Sequence, residues 1–249
     1  TNMNNNISII NNMIGSAVPA DYITRYGIAV TQVNNLLISG NEVMGPEGGS
    51  DAIAQYGIIV YEQLTNVKIS NNVIHGWVSN GPGSNGIRYD NNNNNTVNEI
   101  SNNVIYDIGA WGLNPGPAAT QAHGIFIRRG GNLRIWHNSI YMSGPYLYGF
   151  DSFAPSSSCI CFWHQTLVNS FDYDVKNNVL KNSMTNDHPN PGTEAWGKAY
   201  GVMMTTGISE YVFDNNDYFI DGHDGHVAQV FGIGGISLDN YKTLAEWQG

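Results

Sequence analysis

Charged side chains are scarce in this chain: they make up 12% of its 249 residues, and Lys and Arg together number 10. With 20 acidic residues, the formal net charge is -10. Nucleic acids and anionic membrane surfaces bind clusters of basic residues. The composition therefore excludes nucleic acid and a membrane surface as principal partners, and leaves divalent cations and glycans as candidates.

Cysteine is nearly absent as well, since Cys159 and Cys161 are the two in the chain. They lie two residues apart on a predicted strand, where side chains share a face and Cα atoms are about 6 to 7 Å apart, at the edge of disulfide geometry. We expect free thiols, with a strained disulfide or a metal role as the alternatives. The chain is not a disulfide scaffold, so stacking of its repeats must supply its stability.

Long apolar runs are missing too, and no segment has the length needed to span a bilayer. No signal peptide opens the chain, because the stretch from Thr1 to Asn4 leads directly into a repeat. We therefore expect a fragment of a longer secreted precursor, in which residues 1–249 form a single domain. We also expect flanking domains or neighbouring copies of the chain as partners.

A repeated phrase is the strongest pattern that the sequence does contain. Ile69-Ser70-Asn71-Asn72-Val73-Ile74 has counterparts along the chain, whose second Asn lies at positions 12, 41, 72, 103, 138, 178 and 216. Successive separations are 29, 31, 31, 35, 40 and 38 residues. A period that grows from about thirty residues is typical of a solenoid whose stacked units carry loops of different length.

Alternation within two phrases assigns the inside of each unit. The phrase of the type Gly57-Ile58-Ile59-Val60 and the Asn phrase each carry apolar residues at alternate positions. Strand side chains alternate between two faces, so these positions form buried columns. The columns are Ile28, Ile58, Ile87, Ile125, Ile160 and Val202; Val30, Val60, Tyr89, Ile127, Phe162 and Met204; Ile9, Ile38, Ile69, Ile100, Ile135, Val175 and Phe213; and Ile14, Val43, Ile74, Ile105, Ile140, Leu180 and Tyr218.

The second Asn of each repeat predicts a structural ladder. Asn tolerates the left-handed backbone region at a bend, and its amide bonds to identical side chains above and below. On these motifs the chain resembles a right-handed parallel β-helix of the pectate-lyase-like superfamily, from Ile7 to about Phe231. The resemblance implies an all-β solenoid of about seven coils, and this architecture carries lyases, glycoside hydrolases, epimerases and non-catalytic surface modules.

A narrower likeness lies at the C-terminal end. The stretch from Asn215 to Gly222, followed by Thr243 to Gln248, resembles the last coil of β-helix domains in large secreted or surface-displayed bacterial proteins. This resemblance implies a location outside the cell or at its surface.

Outward positions of the first strand supply candidate glycan contacts. Neighbouring coils lie about 4.8 Å apart, so these side chains form a ladder on one face. Aromatic rings stack on pyranose faces, and charged groups bind sugar hydroxyls or carboxylates. The alternative is an Asp90–Arg128 surface ion pair beside aromatic residues covered by the long loops. The candidate glycan-binding residues are Tyr61, Arg88, Asp90, Phe126, Arg128, Trp163 and His164, and Trp163 is expected to be partly exposed.

One segment combines metal-ligating residue types. Asp221, His223, Asp224 and His226 place two carboxylates and two imidazoles within six residues, which suits a divalent cation such as calcium. A plain turn is the alternative. No other cofactor is predicted.

Catalytic patterns are weaker. A polysaccharide lyase needs a base and a group that neutralises the uronate carboxylate, and Arg128, Arg129 and His137 are the tightest basic cluster. A glycoside hydrolase needs two facing carboxylates, and no motif singles out a pair from Asp90, Asp107, Asp151, Asp172 and Asp174. The sequence therefore favours a structural or adhesive module that contacts a polysaccharide or cell-surface glycan. The alternative is a polysaccharide lyase or hydrolase acting on an acidic glycan.

Overall fold

Almost all of the regular structure in the computed structural model is β-strand. The structure describes residues 3–16, 18, 23–49, 54–79, 83–93, 95–110, 121–143, 157–163, 172–184, 198–205, 210–222, 225–231 and 237–248. The first ten strands are β1 (Asn4–Ile10), β2 (Met13–Ile14), β3 (Tyr26–Ser39), β4 (Glu42–Met44), β5 (Glu47–Gly49), β6 (Gln55–Ser70), β7 (Val73–Ser79), β8 (Ser84–Asn91), β9 (Asn98–Ser101) and β10 (Val104–Ala110). The remaining elements are β11 (Ala122–Arg129), β12 (Leu133–Trp136), β13 (Ser139–Met142), β14 (Ser157–Phe162), β15 (Asp172–Lys176), β16 (Val179–Asn182), β17 (Ala199–Thr205), β18 (Glu210–Asp214), β19 (Asp217–Ile220), β20 (His226–Phe231), β21 (Ser237–Tyr241) and α1 (Leu244–Gln248).

The strands stack in parallel on three faces, except that β21 pairs antiparallel with β20. Face 1 contains the first halves of β3 and β6, then β8, β11, β14, β17 and β20. Face 2 contains β1, the second halves of β3 and β6, then β9, β12, β15 and β18. Face 3 contains β2, β4, β7, β10, β13, β16 and β19. The chain is thus a right-handed parallel β-helix, the hand that parallel crossovers adopt almost without exception.

The predicted inward columns form the core. Ile58, Ile69, Ile74 and Ile125 are completely buried, and each lies opposite its counterpart in the next coil. Columns remain buried wherever coils lie above and below, and are only partly buried at the ends, as at Ile9 and Tyr218. The alternation argument is therefore confirmed, because side chains of period two fill one continuous interior.

The asparagine ladder is confirmed in its hydrogen bonds. The amide oxygen of Asn103 accepts from the backbone and side-chain nitrogens of Asn72, at 3.1 and 2.9 Å. Its Nδ2 donates to Asn138 Oδ1 and to the backbone oxygen of Ile69. The left-handed conformation, however, belongs to the preceding residue. That position is occupied by Asn11, Gly40, Asn71, Asn102, His137, Asn177 and Asn215, each with φ between 52° and 68°.

A second, shorter ladder was not predicted. Asn35 donates to Asn6 Oδ1 at 2.8 Å, and Asn66 donates to Asn35 Oδ1 at 2.7 Å. All three have positive φ and mark a bend on face 2. Its signal in the sequence is the recurrence of Asn six residues before each of the first three ladder asparagines.

One local expectation needs correction. Cys159 and Cys161 are free and buried, as expected, but they do not share a face: Cys159 lies in the core and Cys161 in a cluster outside it. Cys159 occupies the position of the repeat glycine, and both Cys159 and the next residue, Ile160, face the core, so the alternation shifts by one residue there. Trp77 lies in β7 and is fully buried, and its indole nitrogen donates to the carbonyl of Val43 at 3.3 Å.

The C-terminal end of the core is covered by α1. Thr243 and Glu246 form a capping box, because each side chain accepts a hydrogen bond from the other's backbone nitrogen. Trp247 packs edge-on against Phe213 and Tyr218, with ring centroids 4.9 and 6.1 Å away. Within the described part of the chain, no helix has the length and apolar character needed to cross a membrane.

Candidate functional site

Three guanidinium groups converge on one carboxylate on the outer side of face 1. Arg88 Nη2 lies 3.4 Å and Arg128 Nη1 lies 3.1 Å from Asp90 Oδ2, while Arg129 Nε donates to Asp90 Oδ1. Arg88 and Asp90 belong to β8, and Arg128 and Arg129 end the adjacent strand β11. We call Arg88, Arg128 and Arg129, with Asp90, the arginine cluster.

A β-bulge explains how two consecutive arginines reach the same carboxylate. The register between β8 and β11 shifts between Ile127 and Arg129, so that Arg129 lies opposite Asp90. The Asp90–Arg128 ion pair considered from the sequence is present, although the residue opposite Asp90 in the register is Arg129 and not Arg128. An inserted residue turns neighbouring side chains toward the same side, and the bulge thereby adds a second exposed guanidinium.

Arg88 is held between two aromatic rings. Its Cζ lies 5.1 Å from the ring centroid of Tyr56 and 5.7 Å from that of Phe126. Its Nη1 also donates to the Tyr56 hydroxyl at 2.7 Å. Cation–π contacts and this hydrogen bond fix the guanidinium, so little conformational entropy remains to be lost on binding a ligand. Tyr56 was missed in the sequence, where it precedes the repeat glycine.

Asp90 is ionised by its surroundings. Burial alone would raise the pKa of this carboxyl, but the hydrogen bond from Arg129 and the charges of Arg129, Arg128 and Arg88 outweigh burial and lower the pKa below its ordinary value. The carboxylate therefore acts as a fixed counter-charge that orients the guanidinium groups. It is a poor proton acceptor at neutral pH.

The arginine cluster presents positive charge to solvent. The side chains of Arg128 and Arg129 are 33% and 40% exposed, while that of Asp90 is 4% exposed. Three of the chain's five arginines meet this single buried carboxylate, in a protein with a net charge of -10. Glu62, on the neighbouring strand, is bound by Thr31 and Gln32 of the preceding coil. An anionic group can approach the exposed guanidiniums, for which planar carboxylates are the matching ligands.

The aromatic part of the predicted glycan ladder is buried. Phe126 is fully buried and Trp163 is 4% exposed, so the expectation that Trp163 is partly exposed is wrong. Both belong to the outer cluster, a hydrophobic cluster outside face 1 formed by Phe126, Cys161, Trp163, Tyr200 and Met203. These side chains pack against one another, which removes from the surface the ring faces that a sugar would need.

The other predicted glycan contacts differ in their surroundings. Tyr61 is partly exposed and lies opposite Asp90, and so borders the arginine cluster. His164 lies outside the described residues. His123, on the same face, is buried and bonded through Nδ1 to Ser158 at 2.8 Å. Asn85 lies opposite His123 and is also buried.

Among the described residues, the candidate carboxylates lie on three faces, and Asp172 and Asp174 share the outer side of one of them. Asp90 lies on face 1, Asp172 and Asp174 in β15 on face 2, and Asp107 in β10 on face 3. Asp151 lies outside the described residues. Asp90 and Asp107 lie on different faces and cannot act together on one glycosidic bond, and Asp174 of the remaining pair is bound to Lys176 at 3.0 Å. His137 occupies the exposed bend between β12 and β13, whereas Arg128 and Arg129 end the face 1 strand β11.

The predicted metal site falls partly outside the described residues, because His223 and Asp224 are not among them. Asp221 is exposed and accepts a hydrogen bond from Ser183. His226 is buried and packs against Tyr200, with ring centroids 5.7 Å apart. Within the described ranges, no group of three or more His, Cys, Asp or Glu residues could hold a metal ion. The site at Asp221 to His226 stays a prediction.

Comparisons with known proteins find two distant structural matches. No family model matches the chain, and no curated protein matches it. Two crystal structures are similar, a single and a double mutant of the periplasmic alginate epimerase AlgG. Each is 16% identical with a TM-score of 0.34, and the match covers 78% of this chain. This chain spans about half the length of that protein, since the match covers 46% of it.

Proposed function

We propose that this chain is an extracellular or cell-surface β-helix module that holds an acidic glycan against face 1 in a structural or adhesive role. The observation that carries the proposal is the arginine cluster: three guanidinium groups around one buried carboxylate, two of them well exposed. Arg129 uses its Nε for Asp90 and its side chain is 40% exposed, and the two terminal nitrogens of a guanidinium form a fork that fits a carboxylate. In a glycan built of uronate residues, every sugar ring carries such a carboxylate.

The groups beside the arginine cluster support binding of a glycan rather than cleavage of one of its bonds. A lyase or epimerase needs a base that takes a proton from the sugar. Asp90 is bound by three arginines and its pKa is lowered, and His123 is buried and bonded to Ser158. Neither is placed to accept a proton from a surface-bound sugar. A polysaccharide-degrading enzyme is the second candidate, because neutralisation of a uronate by arginine is also what a lyase requires.

The test compares two arginine substitutions. We expect Arg129→Gln to weaken binding to polygalacturonate at least tenfold in affinity electrophoresis, since a hydrogen-bonded charge contributes roughly 1.5 to 3 kcal/mol. Arg134→Gln is the matched control: it removes the same charge from an exposed arginine on face 2. It should leave binding within about twofold, because surface charges beyond a Debye length of about 10 Å are screened.

Two outcomes contradict the proposal: no binding of the wild type to any acidic polysaccharide, or equal loss in both variants. Thermal unfolding of each variant checks that it remains folded. In the same samples, absorbance of unsaturated products in the ultraviolet distinguishes the second candidate, because a lyase generates them and an adhesive module does not.

A further inference from the structure

Asn85 is a buried residue whose side-chain amide makes no hydrogen bond with any described part of the chain. The residue is 1% exposed, and both Oδ1 and Nδ2 are shielded from solvent without a partner. A buried polar group that lacks a partner destabilises the folded protein, and native structures contain few such groups. An amide in this state therefore calls for a partner from outside the chain.

The amide of Asn85 points to the same side of β8 as the arginine cluster. Two residues separate Asn85 from Arg88, and both of them face the core. Ile87 is completely buried there, and a side chain at Gly86 would collide with Ile105 of the core. The residues on either side of this pair consequently both point outward. Asn85 is thus the next outward side chain along the strand from the arginine cluster.

Four side chains border Asn85 on the outer side of face 1. Tyr56 lies opposite Asn85 in the preceding coil, and His123 lies opposite it in the following coil. The Tyr56 hydroxyl accepts a hydrogen bond from Arg88 Nη1. Phe126 has its ring centroid 5.7 Å from Arg88 Cζ and 5.2 Å from that of His123. Arg88, with a side chain that is 14% exposed, is the member of this group that lies nearest to solvent.

The unpaired atoms at this place match a hydroxyl group. Arg88 Nε is buried like the Asn85 amide, and it too has no hydrogen-bond partner within the described ranges. Asn85 Nδ2 and Arg88 Nε are donors, whereas Asn85 Oδ1 is an acceptor. A hydroxyl has one donor hydrogen and two acceptor lone pairs, so it can satisfy both kinds of group. A carboxylate has acceptors alone and would leave Oδ1 without a partner.

We propose that Asn85 binds a ring hydroxyl of the glycan whose carboxylates meet the arginine cluster. This inference rests on the proposed function and adds to it a residue that recognises the sugar itself, beside the guanidinium groups that recognise its charge. A site that hydrogen-bonds a hydroxyl discriminates strongly against analogues that lack it, because the buried polar groups of the site then stay unpaired.

Replacement of the amide by an apolar group of the same branching tests the assignment. Asn85→Leu should weaken binding to polygalacturonate at least tenfold, since the sugar hydroxyl loses its partners on entering the site. The same substitution should raise the unfolding temperature by about 2 to 4 °C, because no buried amide is left unpaired. A residue with a purely structural role would not give weaker binding together with higher stability.

Gln55→Met is the matched control. Gln55 is completely buried in the adjacent strand β6, and its amide likewise has no partner in the part of the chain that is described. It precedes Tyr56, which points outward, so Gln55 points to the inner side of the coil. Gln55→Met should raise the unfolding temperature by a similar amount and leave the affinity for polygalacturonate within about twofold.

Salt dependence separates the hydroxyl contact from the charge contact. A sugar hydroxyl is neutral, so the loss of affinity in Asn85→Leu should be the same at about 0.05 and 0.2 M salt. The loss in Arg129→Gln should become smaller as salt is raised, because salt screens the exposed guanidinium. Affinity electrophoresis of the wild type and the three variants at both salt concentrations, with thermal unfolding of each, gives all of these values.

The outcomes distinguish this inference from the proposed function. If the wild type binds and Asn85→Leu binds equally well, the amide holds a buried water only, and the inference is overturned while the proposed function stands. Weaker binding of Asn85→Leu with a lower unfolding temperature also overturns the inference, since Asn85 then supports the fold. A wild type that binds no acidic polysaccharide contradicts the proposed function and the inference together.

Discussion

Replacing Asn138 with alanine is expected to lower the free energy of unfolding by about 4 kcal/mol or more, since each buried group left without a partner costs roughly 1 to 3 kcal/mol. Asn138 is completely buried. Its Oδ1 accepts two bonds from Asn103, and its Nδ2 donates to the carbonyls of Ile100 and Trp136. Urea unfolding followed by circular dichroism measures the change.

Asn12→Ala is the matched control for this experiment, because Asn12 is the exposed first member of the same ladder. Its side chain donates two hydrogen bonds and leaves no buried acceptor bond behind. We expect a loss of about 1 kcal/mol or less, as is usual at exposed sites. Similar losses for Asn12 and Asn138 would show that the ladder contributes little to stability.

Replacing Asp90 with asparagine should also have a large effect, which depends on pH. Removal of the Asp90 charge leaves the largely buried Arg88 without its counter-charge, while the partly exposed Arg128 and Arg129 stay hydrated, so we expect a loss of about 1.5 to 3 kcal/mol. The folded-state pKa of Asp90 is lowered, so its contribution is fully present above the pKa of the unfolded state and is lost as pH falls through the folded-state value. The difference in stability between wild type and Asp90→Asn should therefore be large at neutral pH and shrink below about pH 4.

Urea unfolding of both proteins across this pH range measures the effect. Asp217→Asn is the control, since it removes the same charge at an exposed position of β19. We expect Asp217→Asn to leave the free energy of unfolding almost unchanged across this pH range. A difference between wild type and Asp90→Asn that stays constant on acidification would contradict the assigned role of the Asp90 charge.

The fold could be predicted because the sequence pattern that specifies it recurs in every coil. Ile69 and Ile100 belong to a phrase whose alternation decides inside from outside, and the ladder asparagines recur in every unit. Errors arose where the chain departs from that period. The alternation shifts by one residue at Cys159, in the position of the repeat glycine, and again at the bulge before Arg129, which no residue type in the sequence marks.

The site could be predicted only in part, for a different physical reason. Arg88, Asp90 and Arg128 were found because they fall on outward positions of adjacent strands. Alternation says that a side chain leaves the core, but not whether other side chains cover it. Phe126 and Trp163 point outward and yet are buried, since they pack with Tyr200 and Met203 in the outer cluster.

The most direct test of the proposed acidic-glycan site is titration calorimetry of the wild-type protein with polygalacturonate and with the same polymer after reduction of its carboxyl groups. Recognition by exposed guanidinium groups predicts at least tenfold weaker binding of the reduced polymer, and affinity for the acidic polymer that falls as salt is raised from about 0.05 to 0.2 M. Equal affinity for the two polymers, or binding of the acidic polymer that salt leaves unchanged, would contradict it.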